Sequence, residues 1–180
     1  FVYLLSGNYL MIFDALDSNV GKIVSKTKIS ELSESGISKE RIASSMPYYY
    51  GNSQPRDLFV KGNQLIVFVQ EYRPDYYFPE FDIKPVETSR PFTTALIFDI
   101  TDRSNPEKTS EISFTGNYYQ SRLIGEKVYL ITQESAGYGN TIPEPLIKES
   151  SKTLHPSIYY FDNPESEQVF NTIASIDLAS

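Results

Sequence analysis

The chain has 180 residues, enough for one domain with a core of its own. Hydrophobic residues make up 40% and charged residues 22%, a balance that excludes wholesale disorder. A net charge of −7 with scattered lysines excludes nucleic acid as the main partner, and zero cysteine excludes disulfides, thiolate metal sites and thiol catalysis.

Phe1-Val-Tyr-Leu-Leu5, a turn at Ser6-Gly-Asn8 and a second apolar run from Tyr9 to Ala15 read as a β-hairpin. The chain opens at Phe1 inside this run, with no initiator Met and no signal peptide, so it is expected to be a piece of a longer polypeptide. Lys22 to Ile29 alternates like a half-solvated strand. Residues 30–55 break the pattern as a first insertion, with two helical turns expected over Ser38 to Ser45 and a loop at Pro47-Tyr-Tyr-Tyr-Gly-Asn52.

Strand character resumes at Arg56-Asp-Leu-Phe-Val60, turns at Lys61-Gly-Asn63 and continues through Gln64 to Val69, apolar on both faces. Residues 72–91, rich in proline and aromatics, read as a second insertion. Thr93 to Ile100 is again apolar on both faces, Thr101 to Pro106 is a turn, and Lys108 to Phe114 alternates. Tyr119 to Ile124 and Lys127 to Gln133 are strands hinged at Gly125-Glu126. Residues 135–167 form a third insertion with one short strand expected at Ser157-Ile-Tyr-Tyr-Phe161, and Val169 to Leu178 closes the chain. No apolar run approaches the roughly 20 residues of a membrane-spanning helix.

Two signatures recur. Ile12-Phe-Asp-Ala-Leu-Asp17 echoes Ile97-Phe-Asp-Ile-Thr-Asp102, and Leu58-Phe-Val-Lys-Gly-Asn-Gln-Leu-Ile-Val67 echoes Leu123-Ile-Gly-Glu-Lys-Val-Tyr-Leu130. Repetition of this kind predicts an all-β fold, a fragment of a β-propeller with one complete four-stranded blade flanked by two partial blades. Residues 1–29 then supply the second, third and fourth strands of a blade, 56–115 a full blade, and 118–178 the first three strands of another. Asp14, Asp99 and Asp177 would each end a third strand, spaced wider than the roughly 40–50 residues of common propeller repeats because of the insertions. A short-stranded β-sandwich is the rival architecture.

Asp99-Ile-Thr-Asp-Arg-Ser-Asn-Pro106, followed by Gly116 to Ile131 with its Ser121-Arg-Leu-Ile-Gly125 core, closely resembles a secreted bacterial and archaeal β-propeller domain family distantly similar to WD-type repeats. Tyr159-Tyr-Phe161 and Thr172 to Leu178 are also similar to it. The resemblance covers most of 56–178 and, more loosely, 1–29. It implies a propeller and an extracytoplasmic, cell-envelope location, and it supplies no activity. An open fragment leaves sheet edges and faces bare, so further blades or self-association are expected to cover them.

No catalytic set, metal site or cofactor is expected. His155, the single histidine, precedes Pro156 and reads as a surface residue. Asp14, Asp17, Asp99 and Asp102 lack the spacing of a calcium loop and read as turn-makers. Glu71, Asp75, Glu80 and Asp82 offer carboxylates for glycoside chemistry, which needs a defined separation across a cleft. The 14 tyrosines cluster at the insertions, where they serve either loop packing or recognition. Tyr76, Tyr77 and Phe78 are the first candidates for a contact surface, with Tyr49 beside them. Arg122 stands between apolar neighbours on an inner strand, to hold an anion in the channel or to tie the structure. The expected function is a non-catalytic, protein- or glycan-binding module; the alternative is a polysaccharide hydrolase or lyase with its site at the propeller mouth.

Overall fold

The computed structural model describes residues 1–16, 21–29, 53–77, 86–136, 144–160 and 169–178. The regular structure in these residues is β throughout, in three antiparallel sheets. β1 (Val2–Ser6), β2 (Tyr9–Asp14) and β3 (Lys22–Lys28) form the first. β4 (Gln54–Lys61), β5 (Gln64–Tyr77), β6 (Val86–Asp99) and β7 (Glu107–Thr115) form the second, extended at its outer edge by β10 (Ile147–Glu149) and β11 (Lys152–Leu154). β8 (Asn117–Ile124), β9 (Lys127–Ser135) and β12 (Val169–Asp177) form the third. The helix expected over 38–45 lies outside the described residues.

The same hairpin opens each sheet. Two residues join β1 to β2, β4 to β5 and β8 to β9, and the first of each pair is a glycine at positive φ: Gly7 (56°), Gly62 (57°) and Gly125 (63°). A turn with a glycine at its first central position matches the right-handed twist of the flanking strands. The third strand of each sheet then returns to that turn. The amides of Ile29, Ile100 and Leu178 donate to the carbonyls of Asn8, Asn63 and Glu126 at 2.9, 2.7 and 2.9 Å.

This register corrects the repeat expected from the aspartates. β1, β2 and β3 match the first, second and third strands of the central sheet, not its second, third and fourth. Leu10, Leu65 and Val128 each stand three residues beyond the turn glycine, and all are buried. Asp14 therefore matches Val69 within β5, while Asp99 and Asp177 do end equivalent third strands. The echo between Ile12-Phe-Asp and Ile97-Phe-Asp comes from similar composition in strands of different rank.

β5 is buried on both faces because it is the middle of a stack. On one face, Leu65, Val67 and Val69 join Leu96, Phe98 and Ile100, and against them pack Leu10 and Ile29 of the first sheet. On the other face, Ile66, Phe68 and Ala95 meet Val128, Leu130 and Ile176 of the third sheet. The second junction is head to tail, as between successive propeller blades. The first is like face to like face, since Leu10 and Leu65 hold the same place in their hairpins. The reason is the polarity of the first sheet: its other face sets Tyr9 and Met11 opposite Lys28 and Lys26, and burying lysine ammoniums is costly.

Gly116 joins β7 to β8. Its amide donates to Pro91 O at 2.8 Å, its φ is 104°, and a Cβ there would lie 3.0 Å from Gln133 O. Gly116→Ala is expected to cost about 2–3 kcal/mol, through a backbone conformation alanine rarely adopts and a contact with fixed backbone. Urea unfolding measures it, and a loss below about 0.5 kcal/mol would contradict the close approach.

The third insertion also differs from expectation. Residues 155–160 form no strand; the hairpin lies earlier, as β10 and β11, and β10 pairs with β7 of the central sheet through Ile147↔Phe114. A segment following β9 thus closes the outer edge of the neighbouring sheet, hiding an edge that would otherwise template further pairing. The face of the third sheet turned away from the centre exposes Ile124, Tyr129 and Ile173.

Candidate functional site

The expected insertion over 72–91 continues the β5–β6 ladder. Among the described residues the matching ladder of the third sheet runs as far as Ser135↔Val169, which corresponds to Tyr72↔Pro91. In the central sheet pairing goes on through Arg73↔Arg90 to Tyr76↔Glu87 and Tyr77↔Val86. The result, among the described residues, is a two-stranded arm with more paired positions than the sibling hairpin and with Tyr76 and Tyr77 in its last described pairs.

At the base of the arm two arginines face each other across the ladder, an arrangement that is repulsive unless each is neutralised. Arg73 is held by Glu71 through its Nε at 3.0 Å and its Nη2, by Thr94 Oγ1 at 3.1 Å and by Ser113 Oγ at 2.9 Å. Its guanidinium lies 4.6 Å from the centre of the Phe92 ring. Arg90 turns to the third sheet: Nε and Nη2 donate to the two oxygens of Glu134 at 2.6 and 2.9 Å, and Nη2 also donates to Glu144 O at 2.6 Å. Glu71 and Glu134 are both buried. Fork-shaped, charge-assisted bonds of this kind fix orientation as well as supply energy, so the arm leaves the blade from a doubly clamped base.

Beside Arg73 lies a pocket of about 280 Å³. Arg73, Lys108, Glu111, Ser113, Lys148 and Ser150 line it. Lys108 Nζ donates to Glu111 Oε2 at 3.0 Å. Lys148 Nζ lies 5.4 Å from the centre of the Phe92 ring and has no carboxylate partner among the described residues. Ser150, in the β10–β11 turn, has φ 51°, the one positive φ among described non-glycine residues.

The inner strands are tied separately. Asp57 Oδ2 of β4 accepts from Tyr118 Oη at 3.1 Å and Ser121 Oγ at 2.9 Å of β8, and the two hydroxyls lie 2.8 Å apart. Burial raises the Tyr118 phenol above its usual range, with Asp57 adding to that and the Ser121 hydrogen bond opposing it; the phenol stays a neutral donor.

The sequence-predicted residues do not form one site. Tyr76 and Tyr77 sit together at the arm's end; Phe78 and Tyr49 lie outside the described residues. Arg122 is exposed on β8 opposite Tyr129, and no described residue bonds or pairs with it. His155 is exposed, its Nδ1 3.5 Å from a Glu144 carboxylate oxygen. Asp14, Asp99 and Asp102 make turns, while Asp17 lies outside the described residues: Asp14 Oδ1 accepts from Leu16 N at 3.0 Å, Asp99 Oδ1 from Thr101 N at 2.7 Å, and Asp102 Oδ1 from Ser104 N and Oγ at 2.9 and 2.6 Å. These hydrogen bonds hold the Asp99 and Asp102 carboxyls below their usual range. Of the acidic set, Glu71 is engaged by Arg73 and Thr94, which makes it a tie rather than a free base.

Sequence reasoning missed the arginine clamps and the pocket. Glu71 and Arg73, two apart on a strand, share a face, which is a legible signal for a pair. Nothing local marks Glu134 as the partner of Arg90, or Lys148 as a neighbour of Arg73.

Among the described residues no helix is long and apolar enough to cross a membrane, and no group of three or more histidines or carboxylates gathers as a metal site. No curated protein and no solved structure matches the chain. The profile of the Beta propeller domain family matches residues 1–180. With three repeated Gly-turn sheets, the central one packed against both of the others, the chain belongs to the β-propeller domain family.

Proposed function

We propose that the chain is a non-catalytic binding module of a secreted β-propeller, holding a protein or glycan at the cell envelope through the β5–β6 arm. The observation that carries this is the β5–β6 ladder, which among the described residues has more paired positions than its sibling hairpin and reaches Tyr76 and Tyr77 from a base clamped by Arg73 and Arg90. A backbone paired in a ladder loses less entropy when a contact forms than an unpaired loop does, and tyrosine gives broad area with few rotatable bonds. Phe78, next in sequence, belongs to the same proposed surface. The extracytoplasmic location rests on the family resemblance. The polysaccharide hydrolase or lyase reading gains nothing from Glu71, whose carboxylate is engaged at the arm's base.

The test is the triple variant Tyr76→Ala, Tyr77→Ala, Phe78→Ala in the whole protein, assayed for retention on envelope fractions and immobilised glycans. Affinity is expected to fall at least about tenfold, since aromatic anchors at a contact centre carry about 2 kcal/mol or more, with the melting temperature unchanged. Retention equal to the parent protein would remove the arm's tip from consideration.

A further inference from the structure

The pocket at the arm's base has a chemistry of its own. It is a concavity of about 280 Å³ on a chain of net charge −7, yet three of its lining side chains are cationic and one is anionic. Arg73 and Lys108 are offset by Glu71 and Glu111. Lys148 is not: its ammonium is 5.4 Å from the Phe92 ring centre and has no described carboxylate partner. The remaining lining includes the hydroxyls of Ser113 and Ser150. Segments far apart in the chain build the pocket within one sheet, because Lys148 and Ser150 arrive on the β10–β11 hairpin that follows β9 and docks on β7. That hairpin turns through Ser150 in a left-handed conformation that non-glycine residues rarely adopt, and such conformations concentrate at functional sites.

We propose that this pocket binds an acidic sugar, with the Lys148 ammonium taking the ring carboxylate and the pocket's hydroxyl and charged groups taking the ring hydroxyls. The volume suits a ligand at the small end of those held by protein pockets. An exposed carboxylate meets one uncompensated cation there, and the surrounding hydroxyl and paired charged groups present alternating donors and acceptors, as a polyhydroxylated ring requires. A peptide strand is disfavoured: the β7 edge that would pair with it is occupied by β10, and the Phe92 ring beside the pocket already carries Arg73 and Lys148. The proposal stands on the pocket alone and does not need the arm's tip to bind anything.

Calorimetric titration of the full chain with trigalacturonate tests it, against glucose oligomers, sodium sulfate and an acidic dipeptide. Trigalacturonate is expected to bind, with neutral oligomers at least about tenfold weaker, the usual worth of one charge-assisted hydrogen bond. Lys148→Ala is expected to lose about tenfold or more in affinity with an unchanged melting temperature, and Lys148→Arg to restore most of it. The Tyr76, Tyr77, Phe78 triple variant is expected to bind trigalacturonate as the parent does, which separates this site from the arm's tip. Absence of trigalacturonate binding, or a Lys148→Ala affinity equal to the parent's, overturns the proposal. Equal displacement by sulfate reduces the pocket to a simple anion site and also overturns it, as does equal binding of the dipeptide.

Discussion

Phe68→Ala is expected to destabilise the chain by about 3–5 kcal/mol, the range for emptying a buried aromatic position. Phe68 is fully buried in the middle of β5, on the face that meets the third sheet. Its ring stands edge-on to Phe59 at 6.3 Å and tilted against Tyr118 at 6.1 Å, so truncation removes two ring contacts along with the transferred surface. Phe59 and Tyr118 belong to β4 and β8, first strands of adjacent sheets, and the hole would sit where those sheets are held together. For a domain stable by about 5–15 kcal/mol this is a large fraction of the whole. Urea unfolding of parent and variant gives the number. Ile173→Ala is the control: Ile173 is 72% exposed, and its loss is expected to stay within about 0.5 kcal/mol. A Phe68→Ala cost below about 1 kcal/mol would mean the junction of the second and third sheets is not packed as described.

Glu134→Ala is the second. The carboxylate of Glu134 is buried and accepts two bonds from Arg90; once it is gone, Glu144 O is the guanidinium's one remaining partner among the described residues. Removing one partner of a buried pair costs about 3–5 kcal/mol, chiefly because the remaining charge is stranded without water. The double variant Arg90→Met, Glu134→Leu is expected to recover most of the loss, since an apolar pair of similar volume removes both desolvation penalties. The Lys61–Glu126 pair is the contrast. Both members are exposed, and Glu126→Ala should cost no more than about 1 kcal/mol. Thermal and urea unfolding of the three variants form the experiment; a Glu134→Ala loss as small as that of Glu126→Ala would show that Arg90 does not depend on the pair.

These two sites differ in how visible they were in the sequence. Phe68 lies in a run apolar on both strand faces, which announces a strand with neighbours on both sides. The Arg90–Glu134 pair spans two sheets, and no local pattern links its members. The Gly-turn hairpin was half legible. Leu58 to Val67 and Leu123 to Leu130 declared themselves as copies, but the first copy, Leu4 to Ile12, was set in the wrong register by the aspartates. Two short apolar strands ending in Asp look alike whatever their rank in a sheet, because strand patterning records burial and not position. The second insertion misled for a related reason. Proline and aromatic residues read as loop, yet Pro74 sits in the outer ladder of a long hairpin, paired with Ser89.

From its own periodicity the sequence determined that the chain is all-β, that it repeats, where the three glycine hairpins turn, and that β5 and β6 are inside. Those properties depend on residues near one another, through the two-residue alternation of strands and the demand of a tight turn for glycine. Tertiary structure alone decided which faces meet, that the first sheet presents to the centre the same face the centre presents to it, and that β10 crosses to a neighbour's edge. It also decided that Arg73, Lys108 and Lys148 share one pocket. Each of these outcomes turns on contacts between segments far apart in the chain, where the cost of burying a charge or leaving an edge unpaired outweighs any local preference.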